Sequence, residues 1–292
     1  MLTVTPDYYN KFKCIANKCK HSCCIGWEID IDNATLEKYN NLKSTFADTL
    51  KSNIEFSETP HFKLDKHERC PFLNKQGLCD IIINEGEDML CQICADHPRF
   101  RNYYDNVTEI GLGLACEAAA ELILTSEEKS TLNLPPQALE LPIIKFRENI
   151  FDILQDRTFS IDERVENMLF YIGAQFPDNT NWYNVFNGLE KLDNEWNKYL
   201  LRIKNGIESP ADSSLDTAYE QLLIYLIFRH LLDGQYDGKI KERVLFTVLI
   251  YKIIRAMNTS NTLHELLEIA RIYSCEIEYS DENIDAILSK LG

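Results

Sequence analysis

The cysteines of this chain are crowded into its first part. Nine of the ten lie within the first 116 of the 292 residues, and residues 117–274 contain none. The nine are Cys14, Cys19, Cys23, Cys24, Cys70, Cys79, Cys91, Cys94 and Cys116; the tenth is Cys275. Buried cysteines that act only as small apolar side chains would be spread along the sequence. The crowding therefore indicates that these thiols act together.

Metal binding explains the crowding better than disulfides do. The start of the chain, Met1–Pro6, lacks the basic and apolar segments of a signal peptide. The longest apolar run, Leu222–Phe228, is far shorter than the roughly 18–20 residues that cross a membrane. We therefore expect a soluble, cytoplasmic protein without a membrane segment. The cytosol keeps thiols reduced, and clustered cysteines there more often bind metal.

The spacing of the thiols leaves the metal open. Zinc sites usually contain two similar Cys-x2-Cys pairs, whereas only Cys91 and Cys94 have that spacing here. Iron–sulfur clusters accept irregular spacings and ligands far apart in sequence, and the pattern favours them over zinc. Eight or nine thiolates could hold two clusters, two zinc ions, or one cluster with spare cysteines.

The sequence divides into two parts with different patterns. Residues 1–125 read as an irregular, cysteine-rich metal-binding module with a small hairpin at Cys70–Cys79 and a helix at Cys116–Leu124. Residues 126–292 read as an all-α helical bundle, and clear β alternation is nearly absent. The fold class predicted is therefore mainly α. The predicted helices are Ile143–Leu154, Val165–Phe176, Trp182–Ile203, Leu215–Leu232, Val244–Met257 and Leu263–Tyr273.

Three sequence patterns predict helix starts in the second part. Each has a Ser or Thr followed three residues later by Glu, which is the pattern of a capping box. They begin at Thr125, Ser160 and Thr262.

The charge of the chain limits its partners. Lys and Arg total 30 against 46 Asp and Glu, which gives a formal net charge of −16. Such a surface repels phosphate backbones, so the charge argues against a general nucleic-acid-binding protein. The same charge would attract a basic partner, such as a protein with surface lysines.

Arg99 is the candidate cofactor-binding residue outside the cysteines. It follows His97 and Pro98, five positions after Cys94. An arginine there could donate to the sulfides of an anionic cluster or bind a cofactor carboxylate through two hydrogen bonds. A surface ion pair with Asp96 or Asp105 is the alternative.

The cysteine pattern resembles that of the flagellin lysine N-methylase family, part of a wider group with a zinc- or iron-chelating cysteine cluster. The resemblance lies in Phe12–Ile31, in the Cys70-Pro-Phe-Leu segment, in Cys94 through Arg99 and in the segment that starts at Leu114. Weaker matches extend to residues 147–157 and 219–228. The family's usual cysteines correspond to Cys14, Cys19, Cys23, Cys24, Cys70, Cys79, Cys94 and Cys116. Cys91 is an extra, and Cys275 lies outside the pattern.

The resemblance implies a protein lysine N-methyltransferase that uses S-adenosylmethionine and requires a [4Fe-4S] cluster, with flagellin or a similar protein as substrate. It names no general base. Two other hypotheses stay open at this point. One is a non-catalytic zinc- or iron-binding module whose helical part binds a partner; the other is an enzyme on the same scaffold that modifies another peptide or a small molecule.

Overall fold

A computed structural model describes residues 2–177, 179–208 and 212–292. Within the described residues it contains the strands β1 Leu2–Pro6, β2 Ile54–Phe56, β3 Pro60–Phe62, β4 Arg99–Tyr104, β5 Val107–Leu112 and β6 Leu132–Asn133. The α-helices are α1 Asn33–Asn41, α2 Ala47–Ser52, α3 Asp80–Glu85, α4 Gln92–Asp96, α5 Glu117–Leu124, α6 Pro142–Leu154, α7 Ile161–Ile172, α8 Trp182–Asn187, α9 Asn194–Arg202, α10 Asp216–His230, α11 Gly234–Asp237, α12 Ile240–Met257, α13 Leu263–Tyr273 and α14 Asp281–Leu288. The mainly α fold class is confirmed. None of these helices is both long and apolar enough to cross a membrane.

The chain forms two compact units, which we call the thiol unit and the helical unit. The thiol unit is Lys13–Phe100, and the helical unit joins Met1–Phe12 to Arg101–Gly292. This division differs from the expected boundary between residues 125 and 126. The reason is strand pairing: β1 runs parallel to β5, with Leu2 opposite Val107 and Val4 opposite Glu109. The thiol unit is thus an insertion between two segments of the helical unit.

A small sheet in the helical unit was missed by the sequence. Its strand order is β4-β5-β1-β6, with β1 antiparallel to β6. The expected near absence of strands concerned residues 126–292, where the two-residue strand β6 is the described exception. The other three strands of the sheet come from residues 1–125, which were expected to be irregular apart from a hairpin and a helix. The central strand β5 is buried at five of its six positions. Such a strand shows no alternation of apolar and polar residues, because both of its faces are covered.

The predicted helices of the second part are largely found. The helices α6, α7, α10, α12 and α13 match the expected segments to within two residues at each end, except that α7 starts and ends four residues early and α12 starts four residues early. The segment Trp182–Ile203 is two helices rather than one. Gly188 ends α8, and the Asp193 side chain accepts a hydrogen bond from the Glu195 N–H to start α9. The helix α10 is buried at thirteen successive positions from Ala218 to His230, as expected for a helix that is apolar all round.

Two of the three predicted helix starts are confirmed. Ser160 and Glu163 form a complete capping box at α7, and the Thr262 side chain accepts from the Glu265 N–H at α13. Thr125 instead ends α5, so the third prediction was wrong. Its hydroxyl donates to the Glu121 carbonyl one turn back in the helix. A Ser or Thr with Glu three positions later therefore marks a helix start only where helical residues follow.

The thiol unit is built from short elements around a core of its own. The helices α1 to α4 and the β2–β3 hairpin surround buried side chains such as Ile29, Tyr39, Phe62 and Phe72. Aromatic rings pack edge to face at its centre, with the Phe62 and Phe72 centroids 4.9 Å apart. Thiols form part of this core.

Candidate metal centre

Backbone contacts bring the first and second groups of cysteines together. The Cys70 N–H donates to the Cys24 carbonyl at 2.9 Å. The predicted hairpin at Cys70–Cys79 is present as a tight turn, in which the Asn74 N–H donates to the Leu78 carbonyl. Gly77 has φ +74° in this turn, a conformation that favours glycine. The turn places Cys79 opposite Leu73 in a single β-bridge.

The third group lies at the start of α4. Cys91 is the residue just before the helix, and Cys94 is its third residue. The Cys91 thiol donates to the Cys94 Sγ at 3.3 Å. A spacing of three residues across the first turn puts both side chains on one side of the chain.

Five thiols share one core. Cys70 is 6% exposed and Cys91 is 0% exposed, and both belong to the buried cluster of the thiol unit. Cys24, Cys79 and Cys94 are half-buried and pack against the same cluster. We call these five residues the thiol core. Four of them are predicted ligands, and the fifth is Cys91.

Neighbouring thiols and burial together set the pKa values of the thiols in this core. A side-chain hydrogen bond with Cys23 lowers the pKa of Cys24 to about 7, although burial acts in the opposite direction. Burial raises the pKa of Cys70 to about 12, and burial also raises the pKa of Cys79. The bond with Cys91 and then burial raise the pKa of Cys94. Buried thiolates without a cation repel one another, so a bound metal ion would stabilise the deprotonated forms.

The other predicted ligands lie outside the thiol core. Cys14 and Cys23 are exposed, and Cys19 is half-buried. Trp27, next to this segment, donates from Nε1 to the Cys23 carbonyl at 2.7 Å. Cys116 belongs to the helical unit, where it immediately precedes α5. None of the ten cysteines forms a disulfide bond in the described part of the chain.

The donor set of the thiol core consists of soft ligands. Among the described residues, no group of three or more His, Cys, Asp and Glu side chains stands close enough to hold one metal ion. Thiolates are soft ligands that select zinc, copper(I) and iron–sulfur clusters. The four thiolates of a [4Fe-4S] cluster bind different corners of a cuboid, so they stand farther apart than ligands of one ion. The chemistry of the thiol core thus fits an iron–sulfur group.

Arg99 lies at the start of β4 and is half-buried. Its Nη1 donates to the Ala95 carbonyl in α4 at 3.4 Å. Burial and then the Arg99 charge lower the pKa of His97. The arginine is therefore tied to the helix that carries Cys94.

The helical unit contains a buried ionic network that the sequence did not reveal. Its centre is Glu278, whose side chain is fully buried at the end of a π-helical turn, Ser274–Glu278. The carboxylate accepts from the Tyr225 hydroxyl at 2.7 Å and from the Ser274 hydroxyl. It also lies 3.1 Å from His230 Nε2 and 3.3 Å from Arg229 Nε. We call these five residues the Glu278 network.

The Glu278 network keeps the Glu278 carboxylate charged although it is buried. Burial acts to raise the pKa of Glu278, but Arg229 and the bonds from His230 and Ser274 outweigh it and hold the pKa at about 2. Arg229 and His230 mark the end of the long apolar run in α10, which was the available sequence signal. Nothing in the sequence placed Glu278 beside them, because it lies 48 residues after His230.

A groove of about 1460 Å³ opens elsewhere in the helical unit. It is lined by α7, α8, α12 and the residues after α9, with Phe170, Trp182 and Lys252 among the side chains. Phe170 is 89% exposed. No predicted site residue lines this groove.

Comparisons with known proteins find relatives over part of the chain. The chain is 30% identical over 143 residues to lysine-N-methylases from Salmonella typhimurium and Salmonella choleraesuis, which covers 45% of this chain and 35% of each relative. It is 30% identical over 142 residues to the flagellar biosynthetic protein FliU from Salmonella muenchen, and this match covers 82% of FliU. The chain therefore spans about a third of the length of the lysine-N-methylases but most of FliU. No protein-family model and no solved structure matches it.

Proposed function

Because this chain belongs to the flagellin lysine N-methylase family, we propose that it is a protein lysine N-methyltransferase acting on flagellin or a similar protein. The observation that carries the proposal is the match to proteins named lysine-N-methylase. The thiol core supports it, because five thiols gathered in one small unit fit the iron–sulfur group that the resemblance implies.

S-adenosylmethionine is the proposed methyl donor. The lone pair of an uncharged lysine Nζ forms the new N–C bond, and the sulfonium–methyl bond breaks with its electrons passing to sulfur. Lysine is protonated near neutral pH, since its ordinary pKa is about 10.4. The ammonium proton must therefore leave before attack. A partly dry environment favours that loss, because burial disfavours the charged form of lysine.

The thiol core is the proposed holder of a [4Fe-4S] cluster, together with Cys14, Cys19, Cys23 and Cys116 as further candidates for one or two clusters. A bound cluster would supply either coordination for the amino and carboxylate groups of the donor or a cross-link that stabilises the thiol unit. Arg99 is the proposed contact to the donor carboxylate, because a guanidinium can bind a carboxylate through two parallel hydrogen bonds.

The net charge supports a basic protein substrate. A chain with a formal charge of −16 attracts a partner whose lysines face outward. Such attraction mainly raises the association rate. It does not by itself select one lysine.

The test is methylation by anaerobically purified protein. Iron-loaded protein is incubated with S-adenosylmethionine and flagellin from the same source, and peptide mass spectrometry locates added methyl groups. We expect methylated lysines only when both the donor and the iron-loaded protein are present. Protein lacking the donor and protein stripped of iron are the controls.

Three outcomes would count against parts of the proposal. Colourless protein with stoichiometric zinc would remove the cluster and favour the non-catalytic module. Donor binding without flagellin methylation would point to another substrate. Absence of donor binding to iron-loaded protein, measured by calorimetry, would remove the methyltransferase itself.

A further inference from the structure

Cys91 is the least expected member of the thiol core. The resemblance treats it as an extra cysteine, yet its side chain is fully buried in the core of the thiol unit and contacts Cys94, a predicted ligand. A buried cysteine with no metal role would contact apolar side chains alone. Cys91 also contacts a predicted ligand, so its position needs a further explanation.

The contact with Cys94 supplies that explanation. The two Sγ atoms are 3.3 Å apart, and two thiolates bound to one tetrahedral metal at about 2.3 Å each would be separated by about 4 Å. A small adjustment of either side chain would therefore place both sulfurs on one metal atom. A metal bound by Cys94 cannot lie far from Cys91.

The burial of Cys91 adds a second argument. Its sulfur has no exposed surface, so a metal atom that it bound would have to lie inside the core of the thiol unit. The same core contains Cys24, Cys70 and Cys79, which a metal group at Cys94 would also have to satisfy.

We propose that Cys91 is a ligand of the metal group in the thiol unit, sharing that group with Cys94. The inference relies on the proposed function only for the identity of the metal group. Two thiolates on one metal atom would suit a zinc ion or an iron of a [2Fe-2S] cluster, whereas a [4Fe-4S] cluster would hold Cys91 and Cys94 on different irons. In the competing arrangement, Cys91 stays a neutral thiol and donates a hydrogen bond to a metal-bound Cys94.

Two substitutions at Cys91 separate these arrangements. Cys91→Ser keeps a hydrogen-bond donor and removes the thiolate, whereas Cys91→Ala removes both. Iron, zinc and sulfide content and the visible spectrum are measured on anaerobically reconstituted protein, with far-ultraviolet circular dichroism as the check on folding. Cys94→Ser is the positive control, and Cys275→Ser, in the helical unit, is the negative control.

We expect both Cys91 variants to lose metal to the same degree as Cys94→Ser, while Cys275→Ser keeps the wild-type content. Wild-type metal content and an unchanged spectrum in both Cys91 variants would overturn the proposal. Full metal content with a spectrum shifted only in Cys91→Ala would also overturn it, since that result is the signature of a hydrogen-bond donor.

A third replacement covers the case in which both variants fail to fold. Cys91→selenocysteine preserves the size and shape of the side chain, and selenium X-ray absorption reports its neighbours directly. A metal atom in the first coordination shell of selenium would support the inference. A first shell that contains only light atoms would refute it. None of these readouts depends on methylation, so failure of the proposed activity would leave the Cys91 result standing.

Discussion

Replacing Glu278 with glutamine tests the Glu278 network. Glu278→Gln keeps the size of the side chain but removes the negative charge beside Arg229, whose guanidinium is itself buried. Leaving one partner of a buried ion pair uncompensated costs about 3–5 kcal/mol. We therefore expect the variant to lose about that much free energy of unfolding in the helical unit at neutral pH.

The pH dependence gives an independent measure of the same effect. The pKa of Glu278 is held at about 2 in the folded protein, below its ordinary 4.5. A depressed carboxyl pKa stabilises the fold above the ordinary value, and this stabilisation is lost as pH falls towards the folded value. The shift corresponds to about 3 kcal/mol. The difference between wild type and Glu278→Gln should therefore narrow between pH 4.5 and pH 2.

The assay uses tryptophan fluorescence during urea denaturation. The chain has three tryptophans, of which only Trp27 lies in the thiol unit, so a Trp27→Phe background reports on the helical unit through Trp182 and Trp196. Glu121→Gln, an exposed glutamate in α5, is the matched control and should change stability by less than about 0.5 kcal/mol. A Glu278→Gln loss no larger than the control's would refute the assignment of a buried charge pair. A difference that stays constant with pH would refute the depressed pKa.

The remaining predictions concern the proposed activity. Arg99→Ala should reduce methyl transfer more than it reduces iron content, because the proposed contact of Arg99 is to the methyl donor. The control is Arg101→Ala, which changes an exposed residue two positions later in β4. An equal loss of iron and of activity in Arg99→Ala would show that Arg99 stabilises the structure and does not bind the donor. Added salt should lower the rate of flagellin methylation at limiting substrate, because the net charge of −16 acts over a screening length of about 8 Å at physiological ionic strength. A rate that does not change with salt would show that charge attraction plays no part.

The sequence predicted those parts of the fold that depend on neighbouring residues. The apolar periodicity of Ile143–Leu154 and Leu263–Tyr273 gave α6 and α13, and the Ser160–Glu163 pattern marked the start of α7. These features depend on residues one to four positions apart. The sheet could not be predicted in the same way, because β1 and β5 are short and pair across about a hundred residues.

In the candidate site, too, local features could be predicted from the sequence and long-range contacts could not. The turn around Gly77 was visible in the sequence, since a tight turn has a local residue preference. The burial of Cys91 was not visible, because it depends on side chains such as Tyr39 and Phe72 that come from distant segments. The family resemblance gave Cys91 no role, and the ligand role proposed above depends on its three-dimensional neighbours.

The insertion of the thiol unit between two segments of the helical unit affects how the chain is made. Leu2 pairs with Val107, so β1 leaves the ribosome long before its partner exists and must wait for it. During that wait the whole of Lys13–Phe100 emerges. If this segment takes up its metal and folds first, it shortens the flexible loop that β1 and β5 must close, and the entropic cost of closure falls with the logarithm of loop length. Iron supply during synthesis would then control the yield of a helical unit that contains none of the five core thiols.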